Sequence, residues 1–257
     1  MNRTVLISMT LAISTSLLAS NYSLRKYPHV KSFYRDLTPV AIEVTQKHKL
    51  PTAAILAIAG LESGYGSGYV SQITGNILSL GAFKSDAQLP ALYIPYSESL
   101  KRVIFDPAEI KKHSKVDLRY KQRPKSYKRD FRPAPYAGTT TNLGLLKHNK
   151  ELRFNAHEAC LNDFATRWIK LDSNIKPFRD ARVYLNEEIA KNGVDILNSM
   201  SLNIAFINKI GGLKNSFNYR KTWPKKVEYI MKKAGLVKLV TDITNKNMSF
   251  EAAWENK

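Results

Sequence analysis

The chain has 257 residues, 44% of them hydrophobic, which is enough apolar mass for the core of one large domain and excludes a disordered chain. Its 40 Lys and Arg against 21 Asp and Glu give a formal charge of +19, which favours a polyanionic partner but does not by itself choose among nucleic acid, anionic lipid and an envelope polymer. A single cysteine, Cys160, excludes both an intrachain disulfide framework and a cysteine-ligated zinc site.

At the start of the chain Arg3 precedes an apolar stretch, 5–19, that is too short and too interrupted by Ser and Thr for a membrane span. Residues 1–20 are therefore expected to be a secretory signal, with small residues at Ala19 and Ser20 offering the cleavage site. The expectation is an exported protein of the periplasm, cell envelope or extracellular space, with no stable membrane span after signal cleavage. Export makes an envelope polymer rich in carboxylate or phosphate the natural partner for the charge and argues against nucleic acid.

The remainder, 21–257, is expected to form a single domain. Thr38-Pro39 has the form of an N-cap followed by Pro at the first helical position, opening a helix to about His48 that Lys49-Leu50-Pro51 breaks. A second helix spans 52–63 and ends at Gly64, with Gly66 and Gly68 continuing a flexible turn. A basic insertion follows at about 84–152. Within it the segment 111–132, from Lys111 to Arg132, sets ten Lys and Arg against two Asp with Tyr and Pro interleaved. That is either a solvated lobe or a docking surface for anionic envelope polymers.

Asn155 and Glu158 stand at capping-box spacing ahead of Cys160, Leu161, Phe164, Trp168 and Leu171, an apolar stripe that predicts another helix with Cys160 as a buried small hydrophobe. Further helical patterns run over 177–191, stopped by Gly193, and over 195–210, stopped by Gly211-Gly212. The segment 224–234 carries Val227, Ile230 and Met231 on one face, lysines on the other, and ends at Gly235, with one more short helix expected in the tail. Strand patterns are scarce, so the fold class is mostly α (α+β), with any hairpin confined to 83–153.

Glu62 is the residue with the clearest chemistry. It follows Ile55 by seven residues, Ile58 by four and Ala59 by three, which places it on the apolar face of the 52–63 helix. Burial disfavours the carboxylate, and the last turn of a helix presents its negative end, so both effects raise the pKa. An acid that stays protonated near neutrality suits proton donation to a glycosidic oxygen, and the glycine-rich turn leaves room for a sugar chain.

Glu62-Ser-Gly-Tyr-Gly-Ser, preceded by an Ala/Ile-rich helix and followed by Asn76 in Gly75-Asn-Ile-Leu-Ser-Leu, resembles the glucosaminidase family of flagellar and autolysin peptidoglycan hydrolases. The family pattern is an apolar helix ending in Glu-Ser-Gly-Trp-Gly-x-Ser, then Asn-Asn-Leu-Phe-Gly-Ile. Tyr65 here takes the place of the Trp, and Gly75-Asn76-Ile77-Leu78 that of Asn-Asn-Leu-Phe. The stretch from Arg153 resembles the family's Phe-Arg-x-Tyr-x-Ser segment, with His157 where a Tyr is usual, and Tyr219-Arg-Lys-Thr-Trp-Pro-Lys-Lys-Val is similar to a compressed form of its Tyr-Ala-Thr-Asp-Pro-Asn-Tyr-Ala-x-Lys-Val.

This resemblance implies a lysozyme-like helical domain with a groove, an endo-β-N-acetylglucosaminidase cleaving the β-1,4 bond between N-acetylglucosamine and N-acetylmuramic acid in peptidoglycan glycan strands. It implies Glu62 as general acid, Tyr219 as assisting catalytic residue, and Tyr65, Asn76, Ser79 and His157 as substrate-binding positions. Some family members take a second carboxylate from the middle region, where Asp86, Glu98, Asp106, Glu109, Asp117 and Asp130 all remain candidates. A lytic transglycosylase or muramidase acting on the same polymer is the alternative among enzymes, although the transglycosylase Gly-Leu-Met-Gln stretch is absent. A non-catalytic cell-envelope-binding protein is the alternative outside them. None of the five histidines shows an i,i+4 metal-ligand pattern with a carboxylate, so neither a metal nor a cofactor is expected. Trp223 is expected to anchor the core at a helix start.

Overall fold

The computed structural model describes residues 22–83, 93–104, 107–122 and 143–256. The segment 1–21, where a signal is expected, and much of the middle region, including Asp86, Asp106 and Asp130, lie outside the described residues. A short 3-10 turn, Ser23–Lys26, leads into α1 (Pro28–His48), α2 (Thr52–Ser63) and α3 (Tyr69–Thr74). The insertion supplies β1 (Tyr93–Ser97), β2 (Arg102–Val103), α4 (Pro107–Ile110), β3 (Leu118–Gln122) and α5 (Leu145–His148). Then come α6 (Lys150–Asp163), α7 (Lys176–Asn192), α8 (Met200–Ile210), α9 (Trp223–Ala234), α10 (Leu236–Lys246) and α11 (Phe250–Glu255). The protein is thus mostly α with one small sheet, as the sequence predicts. The hairpin falls inside the middle region: β1 is the central strand, antiparallel to β2 on one side and to β3 on the other, with Ser97 opposite both Arg102 and Leu118.

The core is organised around α2. Every residue from Thr52 to Gly60 is buried, so the helix is apolar all round and must be enclosed by neighbours. It packs against α1, α8, α9 and α10. A helix start so enclosed leaves backbone N–H groups without water, and side chains from elsewhere satisfy them. The Ala54 amide donates to Asn203 Oδ1 of α8 at 2.8 Å, while Asn203 Nδ2 donates to the carbonyls of Leu197 and Ser199. The Thr45 and Thr52 hydroxyls meet at 2.6 Å and join α1 to the same helix end.

Five local expectations are corrected. Thr38-Pro39 does not open a helix: α1 begins ten residues earlier at Pro28, and Pro39 lies inside it. Pro39 removes one helix hydrogen bond, but Val30, Phe33, Tyr34 and Leu37 before it and Val40, Ala41 and Val44 after it bury into one core, and shared packing outweighs the local break. Asn155 and Glu158 form no capping box, because α6 starts at Lys150 and its cap is Asn149, whose side chain accepts from the Leu152 amide at 2.9 Å. The stripe beyond Phe164 also ends early, in a π-turn over Phe164–Trp168 that leaves Leu171 exposed.

The 195–210 pattern divides at Ser199 into a 3-10 turn (Val194–Asn198) and α8, capped by the Ser199 hydroxyl. The tail holds two helices in place of one. Arg25 holds that tail: its guanidinium is buried and donates to the carbonyls of Ala234, Gly235, Ala253 and Trp254. Cys160 is buried as expected, its thiol pushed up to about 12 by desolvation.

Candidate active site

The C-terminus of α2 is a left-handed turn, with Gly64, Tyr65 and Gly66 all at positive φ. Glycine accepts that geometry freely and Tyr65 does so only under restraint. The restraint is visible: the Tyr65 amide donates to the Gly60 carbonyl at 2.9 Å, and the ring makes edge contacts with His29, Phe33 and Tyr34. Ser63 locks the turn from inside, donating its hydroxyl to the Ala59 carbonyl and accepting from the Gly66 amide. Gly60 lets Tyr34 approach closely, since a Cβ there would lie 2.5 Å from the Tyr34 hydroxyl.

These contacts fix the backbone that carries Glu62. The Glu62 side chain is partly buried, and its Oε1 accepts a hydrogen bond from Trp223 Nε1 at 2.7 Å across 161 residues of chain. Desolvation raises the Glu62 pKa; the Trp223 donor and the field of Arg220 draw it partly back. The result is a carboxylic acid above its ordinary range, as its helix position predicts. The partner residue was not legible locally. Nothing in the spacing joins Trp223 to Glu62, although the adjoining Pro224 and the upstream Gly211-Gly212 mark a tightly packed helix entry.

The remaining candidate positions separate into neighbours and braces. Ser79, at φ 52° and exposed, donates its hydroxyl to the Glu62 carbonyl at 3.4 Å, which brings it beside the acid. Asn76 is 1% exposed and spends its amide on its own loop, with Nδ2 donating to the Leu80 carbonyl and Oδ1 accepting from the Leu80 amide, both at 2.9 Å. It braces the 76–80 turn, and no polar atom of it is left for a substrate. Tyr65 is half-buried in the aromatic cluster described above. His157 lies on α6 and is pushed down to about 4 by desolvation, with Arg153 adding to the effect, so its ring is neutral at ordinary pH. Tyr219 sits in the loop between α8 and α9, 72% exposed, and makes no hydrogen bond among the described residues.

The described carboxylates of the middle region are all engaged. Glu98 pairs with Lys101 and Arg119, and Glu109 pairs with Arg102. Asp117 accepts from the Ser97 hydroxyl and the Ser99 amide, both at 2.7 Å, and meets His113 Nδ1 at the same distance. Those donors hold it well below the usual carboxylate range. His113 therefore stands four residues before a carboxylate that it contacts, an i,i+4 pair within the lobe and not a metal site. No group of three or more His, Cys, Asp or Glu able to hold a metal occurs among the described residues.

A cavity of 530 Å³ opens between the turn after α2, at Ser67 and Gly68, the α3 residues Tyr69 and Gln72, and the lobe residues Arg102 and Glu109. Glu62 is not in its wall. Along the chain its lining begins five residues beyond the acid, at Ser67.

Fold and site together define a mostly α protein in which one desolvated carboxylic acid sits at the end of a buried helix. Comparison of the chain with protein-family models, curated proteins and solved structures gives no match. Among the described residues no helix is long and apolar enough to cross a membrane.

Proposed function

We propose that the protein is an exported peptidoglycan hydrolase, a glycosidase in which Glu62 donates a proton to the leaving sugar oxygen during cleavage of the β-1,4 bond between N-acetylglucosamine and N-acetylmuramic acid. The observation that carries this reading is the Glu62 carboxyl itself: partly buried, raised in pKa by desolvation, and held by a single side-chain donor on one oxygen. A carboxyl that holds its proton above the ordinary carboxylate range yet is reachable from solvent has the properties of a general acid. The motif resemblance around Glu62, Tyr65 and Asn76 supplies the substrate class.

The basic surface supports the same partner. Exposed Lys111, Lys112 and Lys115 open the 111–132 segment on the lobe, where they are suited to draw in a wall polymer bearing carboxylate or phosphate. Tyr219 keeps its proposed assisting role only if substrate brings its exposed hydroxyl into the cleft. Two-carboxylate glycoside hydrolysis needs a second unpaired acid. Glu98, Glu109 and Asp117 are each committed to cations or hydrogen-bond donors, which counts against these three as that second acid.

Mass spectrometry of digested peptidoglycan tests the reading. A reducing N-acetylglucosamine end is expected. A reducing muramic end would make the enzyme a muramidase, and a 1,6-anhydro-muramic end a lytic transglycosylase. Absence of cleavage on every wall tested would leave an envelope-binding protein.

A further inference from the structure

We propose that Trp223 is a positioning residue that divides the labour of the Glu62 carboxyl, fixing Oε1 as the acceptor and leaving Oε2 as the oxygen that carries and releases the proton. The proposal rests on the reading of Glu62 as the acid. The indole Nε1–H is a donor and never an acceptor, so the oxygen it faces must accept in every protonation state. In a neutral carboxylic acid the carbonyl-type oxygen accepts better than the hydroxyl oxygen. With Nε1 at 2.7 Å from Oε1, the proton belongs on Oε2.

The indole is itself immobile. Trp223 is 3% exposed and stacks on Phe217 with ring centroids 5.2 Å apart and planes at 29°. On another side Gly211 closes against it: a Cβ at that position would lie 2.1 Å from Cε3 and 2.2 Å from Cζ3, so only glycine permits the ring to sit there. Its backbone amide donates to the Arg220 carbonyl at 2.9 Å, and α9, which it begins, packs along α2. The ring therefore has no freedom to follow the carboxyl, and the carboxyl is oriented by the ring.

During cleavage the proton passes from Oε2 to the glycosidic oxygen as the C1–O bond breaks, the electron pair of that bond stays with the leaving oxygen, and a water supplies the new oxygen at C1 and releases a proton to solvent. The carboxylate left behind carries the charge, and the hydrogen bond from the indole strengthens as that charge develops. The same donor limits how far burial can raise the acid, so the proton remains releasable.

Two measurements test this, and one of them does not depend on activity. The Trp223 indole resonance in a proton–nitrogen correlation spectrum of the unaltered protein should shift with pH as Glu62 ionises, and that shift should vanish in Glu62→Gln. In turnover, Trp223→Phe keeps an aromatic ring in the seat and removes the donor. It should lower kcat about tenfold to a hundredfold with KM nearly unchanged, and move the alkaline limb of the rate profile to higher pH because the acid holds its proton longer. An indole resonance that stays flat while the rate titrates, or a Trp223→Phe enzyme with unchanged kcat and profile, would overturn the proposal. Should Trp223→Phe fail to fold, the indole titration of the unaltered protein decides. A chain that cuts no glycan while its indole follows Glu62 sinks the glycosidase reading and leaves the pairing standing; a silent indole sinks the pairing whether or not glycan is cut.

Discussion

Glu62 in the helical body and Asp117 in the β lobe are the same chemical group pushed in opposite directions. Glu62 sits at the end of a helix whose every earlier residue to Gly60 is buried, and one indole N–H faces it. Asp117 sits near the surface of the three-stranded lobe and is met by a hydroxyl, a backbone amide and an imidazole. Desolvation with a single donor raises the first; three donors lower the second. The contrast separates a carboxyl available for chemistry from one consumed in holding a loop. The number of donors decides between these roles more than burial alone, since Asp242 is buried on α10 and is still lowered, by Lys238 and Lys246.

The largest effect expected from breaking this contrast is on turnover. Glu62→Gln preserves the side-chain shape and the acceptor for Trp223 but has no proton to give, so cleavage of peptidoglycan should fall by about 10²–10⁴-fold or more with folding and wall binding intact. Asp117→Asn should leave turnover on short soluble glycans close to that of the unaltered chain. Its effect should appear as faster amide exchange in the lobe around Ser97 and Ser99. If Asp117→Asn abolished cleavage of short glycans while Glu62→Gln retained it, the two assignments would have to be exchanged.

Next in size are changes that loosen the support of α2. Asn203→Ala leaves the buried Ala54 amide without its partner and should cost about 1–3 kcal/mol, measured by denaturant unfolding. Gly60→Ala drives a methyl group into the Tyr34 hydroxyl and should cost a similar ~1–3 kcal/mol. A stable Gly60→Ala protein with unchanged turnover would show that the turn adjusts freely.

The pH dependence of stability should also take opposite signs at the two carboxyls. A raised carboxyl holds its proton in the folded state after the unfolded chain has lost it. Stability is therefore expected to fall as pH rises from the ordinary carboxylate range through the folded pKa of Glu62, and Glu62→Gln should remove that fall. Asp117 works the other way. Its contribution is present above the ordinary carboxylate range and is lost as pH drops toward its lowered folded value, a loss that Asp117→Asn should abolish. Thermal melts of both variants across pH separate the two slopes.

The smallest effect per residue is expected at the surface. Replacing Lys111, Lys112 and Lys115 with Gln should weaken attachment to isolated wall at low salt, with the difference shrinking at high salt as the charges are screened. Sedimentation binding assays at two ionic strengths measure it. Unchanged wall binding at low salt combined with loss of cleavage of a short soluble glycan would move this segment from docking into the mechanism.

The sequence by itself determined the elements whose signals are local. The bounds of α2, the left-handed cap at Gly64, the lysine-backed stripe of α9 with its stop at Gly235, and the apolar placement of Glu62 all follow from periodicity and glycine position over a dozen residues. The raised acid was legible for the same reason, because helix face and helix end are properties of neighbours in the chain. Tertiary structure decided whatever depends on contacts between distant segments. It ran α1 through Pro39 and moved the start of α6 to Lys150, capped by Asn149, since burying a continuous face stabilises more than one local break or cap. It turned Asn76 inward as a brace, and it engaged three of the six candidate carboxylates of the middle region with partners up to 21 residues away. Above all it brought Trp223 to Glu62, a pairing set by the packing of α9 on α2 and by the space Gly211 leaves, which no local pattern encodes.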